Sequence, residues 1–230
     1  MGEDHRGTPS NVAAYDADDN KNFRVHSHCM KQPPSDSIMP YLSRAGFDMV
    51  SQITVKSVDT ALVLALVERW RPETHMFHLS IGECTVTLQD VRMLIGLRID
   101  GMTVNGQTQE LGNVYMRHLG VQPPENAISG GSIRITWLDG MLEQLRAIQQ
   151  PTDAQNMLHA KIYIVLLIAK KIFSDKSQNL LHSSWIPLVG DIDKCGTYSW
   201  GSACLAHLYI NLCRTAGKDA RGIAGCALLL

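Results

Sequence analysis

Apolar residues recur at helical spacing through most of this 230-residue chain, but only after a long polar stretch. From Met1 to about Ser35, five acidic and four basic residues are mixed without helical or strand periodicity, which predicts a disordered tail over residues 1–35. Order is expected from Asp36. Ile38, Leu42 and Ala45 fall at helical spacing, and Gly46 follows where a helix end favours a left-handed residue. Ser57 is placed to cap a second helix in which Leu62, Leu66 and Trp70 recur every four residues, widened by Val63 and Val67. Pro72 ends it, because the residue before a proline is pushed out of the helical region. Phe77, Leu79 and Ile81 then alternate with His78 and Ser80, so they should bury one face of a strand. Gly82 permits a turn, and Thr85-Val86-Thr87 would return as the partner.

Thr87 and Asp90 have the spacing of a capping box for a helix through Leu88, Val91, Leu94 and Ile95, ended by Gly96. Asp100-Gly101 and Asn105-Gly106 mark turns around Met102 and Val104, which predicts a second small β element. The remainder reads helical, broken at Gln122-Pro123-Pro124 and Gly130-Gly131. Trp137, Met141, Leu142, Leu145 and Ile148 form one stripe. Thr152 is placed to cap the longest helix, where Leu158, Ile162, Val165, Ala169 and Ile172 repeat and Tyr163, Leu166 and Phe173 broaden the face. That helix should be central. A last helix from Ser199 to about Ala216 carries Leu205, Leu208, Tyr209 and Leu212 and closes at Gly217. The fold class is therefore mostly α: an irregular helical domain over residues 36–230 with one or two short β-hairpins. Its apolar end, Ala227-Leu228-Leu229-Leu230, reads as the uncapped start of a helix, so the domain is expected to be C-terminally truncated.

Composition narrows the chemistry. Hydrophobic residues at 45% suffice for a core, while 21 Lys+Arg against 22 Asp+Glu argue against a strongly basic surface. The longest apolar run, Ile162 to Ala169, is far short of the roughly 20 residues of a membrane span, so no membrane role is expected. Six scattered cysteines without a glycosylation sequon fit a reducing compartment. The soft-ligand clusters are His26-x-His28-Cys29 and His75-x-x-His78 with Cys84; neither has a matching second half, and no metal is expected. Asp191-x-Asp193 reads as a solvated edge, and no esterase, zincin or P-loop motif occurs. A nucleic-acid surface would draw on Arg69, Arg71, Arg92, Lys170 and Lys171, a small set for phosphate binding.

Residues 69–91, Arg69-Trp70-Arg71-Pro72-Glu73-Thr74-His75-Met76-Phe77-His78 followed by Gly82-Glu83-Cys84-Thr85-Val86-Thr87-Leu88-Gln89-Asp90-Val91, resemble the signature of the plant mobile domain, also called aminotransferase-like. Gly96-Leu97, Ile99-Asp100-Gly101, Trp137-Leu138, Tyr198-Ser199-Trp200-Gly201-Ser202-Ala203 and Gly225-Cys226 resemble its later markers. The resemblance implies a plant nuclear protein, transposon-related, linked to silencing of transposable elements, genome stability and meristem maintenance. Its implied partners are nuclear proteins, among them a serine/threonine phosphatase or a related mobile-domain protein. Pyridoxal-phosphate chemistry is not expected, since none of the nine lysines follows a glycine-rich phosphate loop; no cofactor is foreseen. Within the signature, Trp70, Pro72, Phe77, Thr87 and Asp90, with Trp200 later, read as architecture. Glu73, His75, His78 and Glu83 remain as a polar partner surface. The first reading is a non-catalytic nuclear interaction domain. The alternatives are a transposon-derived nucleic-acid-binding module and a cryptic metal-dependent hydrolase at His75, His78 and Cys84.

Overall fold

A helix that is apolar on every side has to be surrounded. In the computed structural model, which describes residues 23–26, 30, 32–54, 58–106, 113–174, 179–216 and 221–230, the longest apolar helix is enclosed in this way. The Thr152 hydroxyl accepts from the Gln155 amide and the Gln155 side chain accepts from the Thr152 amide, a reciprocal cap. Every residue from Ile162 to Ile168 is fully buried.

The elements follow in order as β1 (Arg24–Val25), α1 (Met39–Ala45), α2 (Asp48–Gln52), α3 (Thr60–Arg69), β2 (Trp70–Arg71), β3 (Met76–Leu79), β4 (Gly82–Cys84), α4 (Leu88–Ile95) and α5 (Val114–Leu119). Then come β5 (Ile128–Ser129), β6 (Ser132–Arg134), α6 (Ile135–Arg146), α7 (Asp153–Leu167), β7 (Leu180–His182), α8 (Ile186–Val189), α9 (Ile192–Cys195), α10 (Trp200–Thr215) and β8 (Gly222–Ile223). The protein is mostly α. The central helix α7 packs against α1, α5, α6 and α8, while α10 meets α4, β2 and β8. No helix among the described residues is long and apolar enough to cross a membrane.

Beyond α7 the helix widens into a π segment, Ile168–Ile172, where the Phe173 amide donates to the Ile168 carbonyl at 2.8 Å. Lys170 and Lys171 lie here, 6% and 4% exposed, and are corrected from candidate nucleic-acid contacts to interior residues. The Lys170 ammonium donates to both carboxylate oxygens of Asp139 on α6, at 2.6 and 2.9 Å. Lys171 donates to the Val50 and Ile53 carbonyls, closing the end of α2 where helix carbonyls lack partners.

The structure differs from the sequence reading elsewhere. Asp59 caps α3, accepting from the Ala61 and Leu62 amides at 3.0 and 3.1 Å, and Ser57 lies outside the described residues. The buried face of α3 is Val63 and Val67; Leu62 is exposed and Trp70 stands in the strand that follows. The return strand of the hairpin is Gly82–Cys84, not Thr85–Thr87, because Leu79 pairs with Gly82 across a two-residue loop. That loop puts Ile81 at the tip, 93% exposed. Met102 makes a single bridge to Tyr198, and the second sheet forms around Gly130-Gly131, where β5 pairs with β6 and β6 with β7. Part of the expected tail is ordered: Phe23 is buried, Arg24–Val25 pairs in parallel with Gly222–Ile223, and Arg146 donates to Gln32 and Pro33. Phe23, Val25 and Met30 reach the core without forming a periodic pattern. Residues 1–22, and Gly217 as a helix stop, lie outside the described residues. Ala227–Leu229 makes one 3-10 turn with Ala227 and Leu229 buried.

Two measurements test this core. Removing Lys170 alone leaves Asp139 with no cation in a largely buried site, so Lys170→Met should cost about 3 kcal/mol in urea unfolding. The Lys170→Met/Asp139→Leu pair should recover most of that loss. His159 on α7 is buried, and burial, with Arg146 nearby, lowers its pKa from 6.5 to about 4. The unfolded chain therefore takes up the proton first as pH falls, and this contribution to stability is present above pH 6.5 and lost down to about 4. Unfolding free energies from urea titrations at pH 7 and 4.5 should differ more in the wild type than in His159→Gln, by up to about 3 kcal/mol.

Candidate functional site

The signature block is built on Trp70. Its ring is fully buried, with edge contacts to Phe77 at 4.9 Å and Tyr209 of α10 at 5.1 Å, and its indole N–H donates to the Cys213 sulfur at 3.3 Å. Pro72 turns the chain, and His75 takes a left-handed conformation (φ 55°), which histidine tolerates better than bulkier residues. That conformation carries the His75 ring to Tyr209, 5.5 Å between centroids, and its amide to the Arg71 carbonyl at 2.8 Å. The Tyr209 hydroxyl donates to the Val86 carbonyl at 2.6 Å. The Thr85 hydroxyl lies 2.7 Å from it and 2.8 Å from the His75 carbonyl, so one proton serves two acceptors. Thr87 and Asp90 form the expected capping box, whose hydrogen bonds hold the Asp90 carboxyl below its usual pKa.

On this anchored base the polar residues separate. His78 and Glu83 pair across β3 and β4, with Nε2 and Oε1 3.4 Å apart and both exposed. Glu73 is exposed in the turn. His75 keeps an exposed side but is held by its aromatic neighbours. Cys84 stands opposite Phe77, one position along from the His78–Glu83 pair, and successive strand residues point to opposite faces. His75, His78 and Cys84 are therefore not brought together, and among the described residues no three His, Cys, Asp or Glu side chains could hold a metal ion. The Cys204 thiol is also unsuited to attack: its hydrogen bond with Cys226, then burial, raises its pKa well above the usual value.

The basic candidates do not form one surface. Arg69 donates back to the Ala65 carbonyl at 2.7 Å, Arg71 is exposed beside the hairpin, and Lys170 and Lys171 are interior. Arg92 lies in a cleft of about 500 Å³ that sequence reading missed, lined also by Arg44, Asp48, Met49, Arg98 and Asp100. The cleft lies on a seam between two distant blocks. The Gly201 amide donates to the Arg98 carbonyl at 2.7 Å, the Ser202 hydroxyl to the Ile99 carbonyl at 2.6 Å, and the Met102 amide to the Thr197 carbonyl at 2.9 Å. Trp200 fixes the far side, stacking edgewise on Phe47 at 5.4 Å and donating to the Cys195 carbonyl at 2.9 Å. The signal for the cleft was present as a pattern of arginine or lysine in a last helical turn followed by glycine: Arg44 with Gly46, Arg92 with Gly96, Lys194 with Gly196.

These paired blocks define a mostly helical domain with a locked hairpin. Residues 46–230 match the family model described as the plant mobile domain, and the chain belongs to that family. It is 36% identical over 225 residues to Protein MAIN-LIKE 2 of Arabidopsis thaliana, covering 95% of this chain and 33% of that protein. It is 37% identical over 203 residues to the Serine/threonine-protein phosphatase 7 long form homolog of the same plant, 87% of this chain and 15% of that protein. Protein MAINTENANCE OF MERISTEMS, also from Arabidopsis thaliana, is 31% identical over 192 residues, 82% of this chain and 40% of that protein. The chain thus spans well under half of each of these relatives. No solved structure matches it.

If the Tyr209 hydroxyl fixes the hairpin, Tyr209→Phe should lower stability by about 1–2 kcal/mol. Hydrogen exchange at the amides of residues 76–84 should speed up more than exchange in α7; equal effects in both would show that the hydroxyl acts on the fold as a whole.

Proposed function

We propose that this chain is a non-catalytic protein-interaction domain that works in the nucleus, in silencing of transposable elements, genome stability and meristem maintenance. Its partner surface is the exposed side of the hairpin: Glu73, His78 and Glu83, with the outer edge of His75. The observation that carries this reading is the contrast within one block. Trp70, Phe77 and the Thr85–Tyr209 contact immobilise the hairpin from beneath, while the charged residues and Ile81 at its tip are left exposed. A rigid base lowers the ordering cost of binding, and most binding energy comes from a few placed side chains.

The name of the relative Protein MAINTENANCE OF MERISTEMS supports the meristem role, and that of the phosphatase 7 homolog supports a serine/threonine phosphatase or another mobile-domain protein as partner. Direct nucleic-acid binding is the weaker alternative, since two of its five candidate cations are interior and a phosphate backbone calls for many on one face.

Expressed as a tagged chain in plant cells, the protein should concentrate in nuclei and co-purify with a defined set of proteins. Replacing Glu73 and His78 with alanine should reduce that capture about tenfold while leaving the circular dichroism spectrum unchanged. A protein excluded from nuclei, or one that captures the same set after the replacement, would overturn the proposal.

A further inference from the structure

One side chain pins the segment before α1 to the helical pair α6 and α7. Arg146, in the last turn of α6, donates from its two terminal nitrogens to the Gln32 side-chain oxygen and the Pro33 carbonyl. Tyr163 of α7 reaches the same segment, its hydroxyl donating to the Gln32 carbonyl at 3.4 Å. The third guanidinium donor, Nε, is buried and has no protein partner among the described residues.

That atom has company. Of the six buried side-chain polar atoms without a protein partner among the described residues, three belong to this corner: Arg146 Nε, Asn156 Oδ1 and His159 Nε2. Asn156 and His159 stand one turn apart on one side of α7, and α6 packs along that helix. His159 is only 4% exposed, and Arg146 lies near enough to help burial lower its pKa to about 4, so the imidazole is neutral at pH 7. Bulk solvent does not reach the three atoms, and native proteins satisfy buried polar groups with protein or ordered water.

Their chemistry selects the occupant. A cation would be repelled by the guanidinium, and an anion would face the lone pairs of the Asn156 amide oxygen. A small neutral molecule that both donates and accepts answers all three atoms. Water accepts from Arg146 Nε–H, donates to Asn156 Oδ1, and meets His159 Nε2 with a lone pair or a proton according to the tautomer. Three partners is the ordinary number for an internal water.

We propose that Arg146, Asn156 and His159 form a buried water site between α6 and α7, and that its water braces the guanidinium that latches Gln32 and Pro33 onto the domain. No hairpin residue takes part.

A crystal structure of the whole chain, grown with bromide in the solution, tests it directly. An ordered water should stand within about 2.7–3.2 Å of all three atoms, with no anomalous bromide signal there. In solution, nuclear Overhauser effects should join a long-lived water to the His159 ring protons in the wild type, and should vanish in Asn156→Leu. The same variant should speed hydrogen exchange in the peptide covering residues 32–39 about fivefold, as the loss of one hydrogen bond predicts, and leave α10 unchanged. Circular dichroism checks folding, and the crystal and Overhauser measurements on the wild type need no variant. A bromide ion at the site, direct protein partners for the three atoms with no water among them, or exchange at residues 32–39 indifferent to Asn156→Leu would each overturn the proposal.

Discussion

The structure depends on the second half of α7 having no outward face. A helix with buried residues on every side cannot rest on a single layer, so it must be surrounded, and α1, α5, α6 and α8 do this. Polar groups on such a helix then need internal partners. Lys170 and Lys171 show how the demand is met: one ammonium goes to Asp139 on α6, the other to the carbonyls that end α2. Both lysines tie the central helix to its neighbours with interactions that are costly to break singly.

The second organising feature is the clamping of distant segments. The loop after α4 and the start of α10 are joined by backbone hydrogen bonds at Arg98, Thr197 and Met102, with Trp200 seated behind them. Trp70 and Tyr209 do the same between the signature block and the other end of α10. Helix α10 thus holds the seam at its first turn and the hairpin at Tyr209 and Cys213. The blocks that carried the family resemblance are largely the contact surfaces of these two clamps, which explains why most of that signature is architecture.

How much of this could be read from the sequence follows from the range of each interaction. Local devices were legible: the capping box at Thr87, the cap at Thr152 and the helix stops at Gly46 and Gly96 depend on residues a few positions apart. The mostly helical class and the central helix were legible too, because periodicity reports burial directly. What failed was decided at long range. Trp70 keeps helical spacing with Leu66, yet Phe77 and Tyr209 draw it into a strand. The lysine pair reads as a basic patch until Asp139 and the end of α2 are brought to it. Strand β7 meets β6 from across α6 and α7, so neither strand was marked by a nearby partner. Of the polar site, Glu73, His78 and Glu83 lie exposed as expected, whereas the left-handed backbone at His75 turned its ring into a structural contact.

The cleft joins both lessons. Helix ends that converge bring several partial negative charges into a small space, and a fold that packs helices end to end has to neutralise them. Arg44 and Arg98 do so within the molecule, through Asp193, Asp100 and the Gly196 carbonyl. Arg92 is favoured where it stands by the end of α4, and Asp48 by the start of α2, so each charge has a local reason to exist without the other. Each residue is placed by its own helix, and the cleft that results gathers Arg44, Arg92 and Arg98 with Asp48 and Asp100.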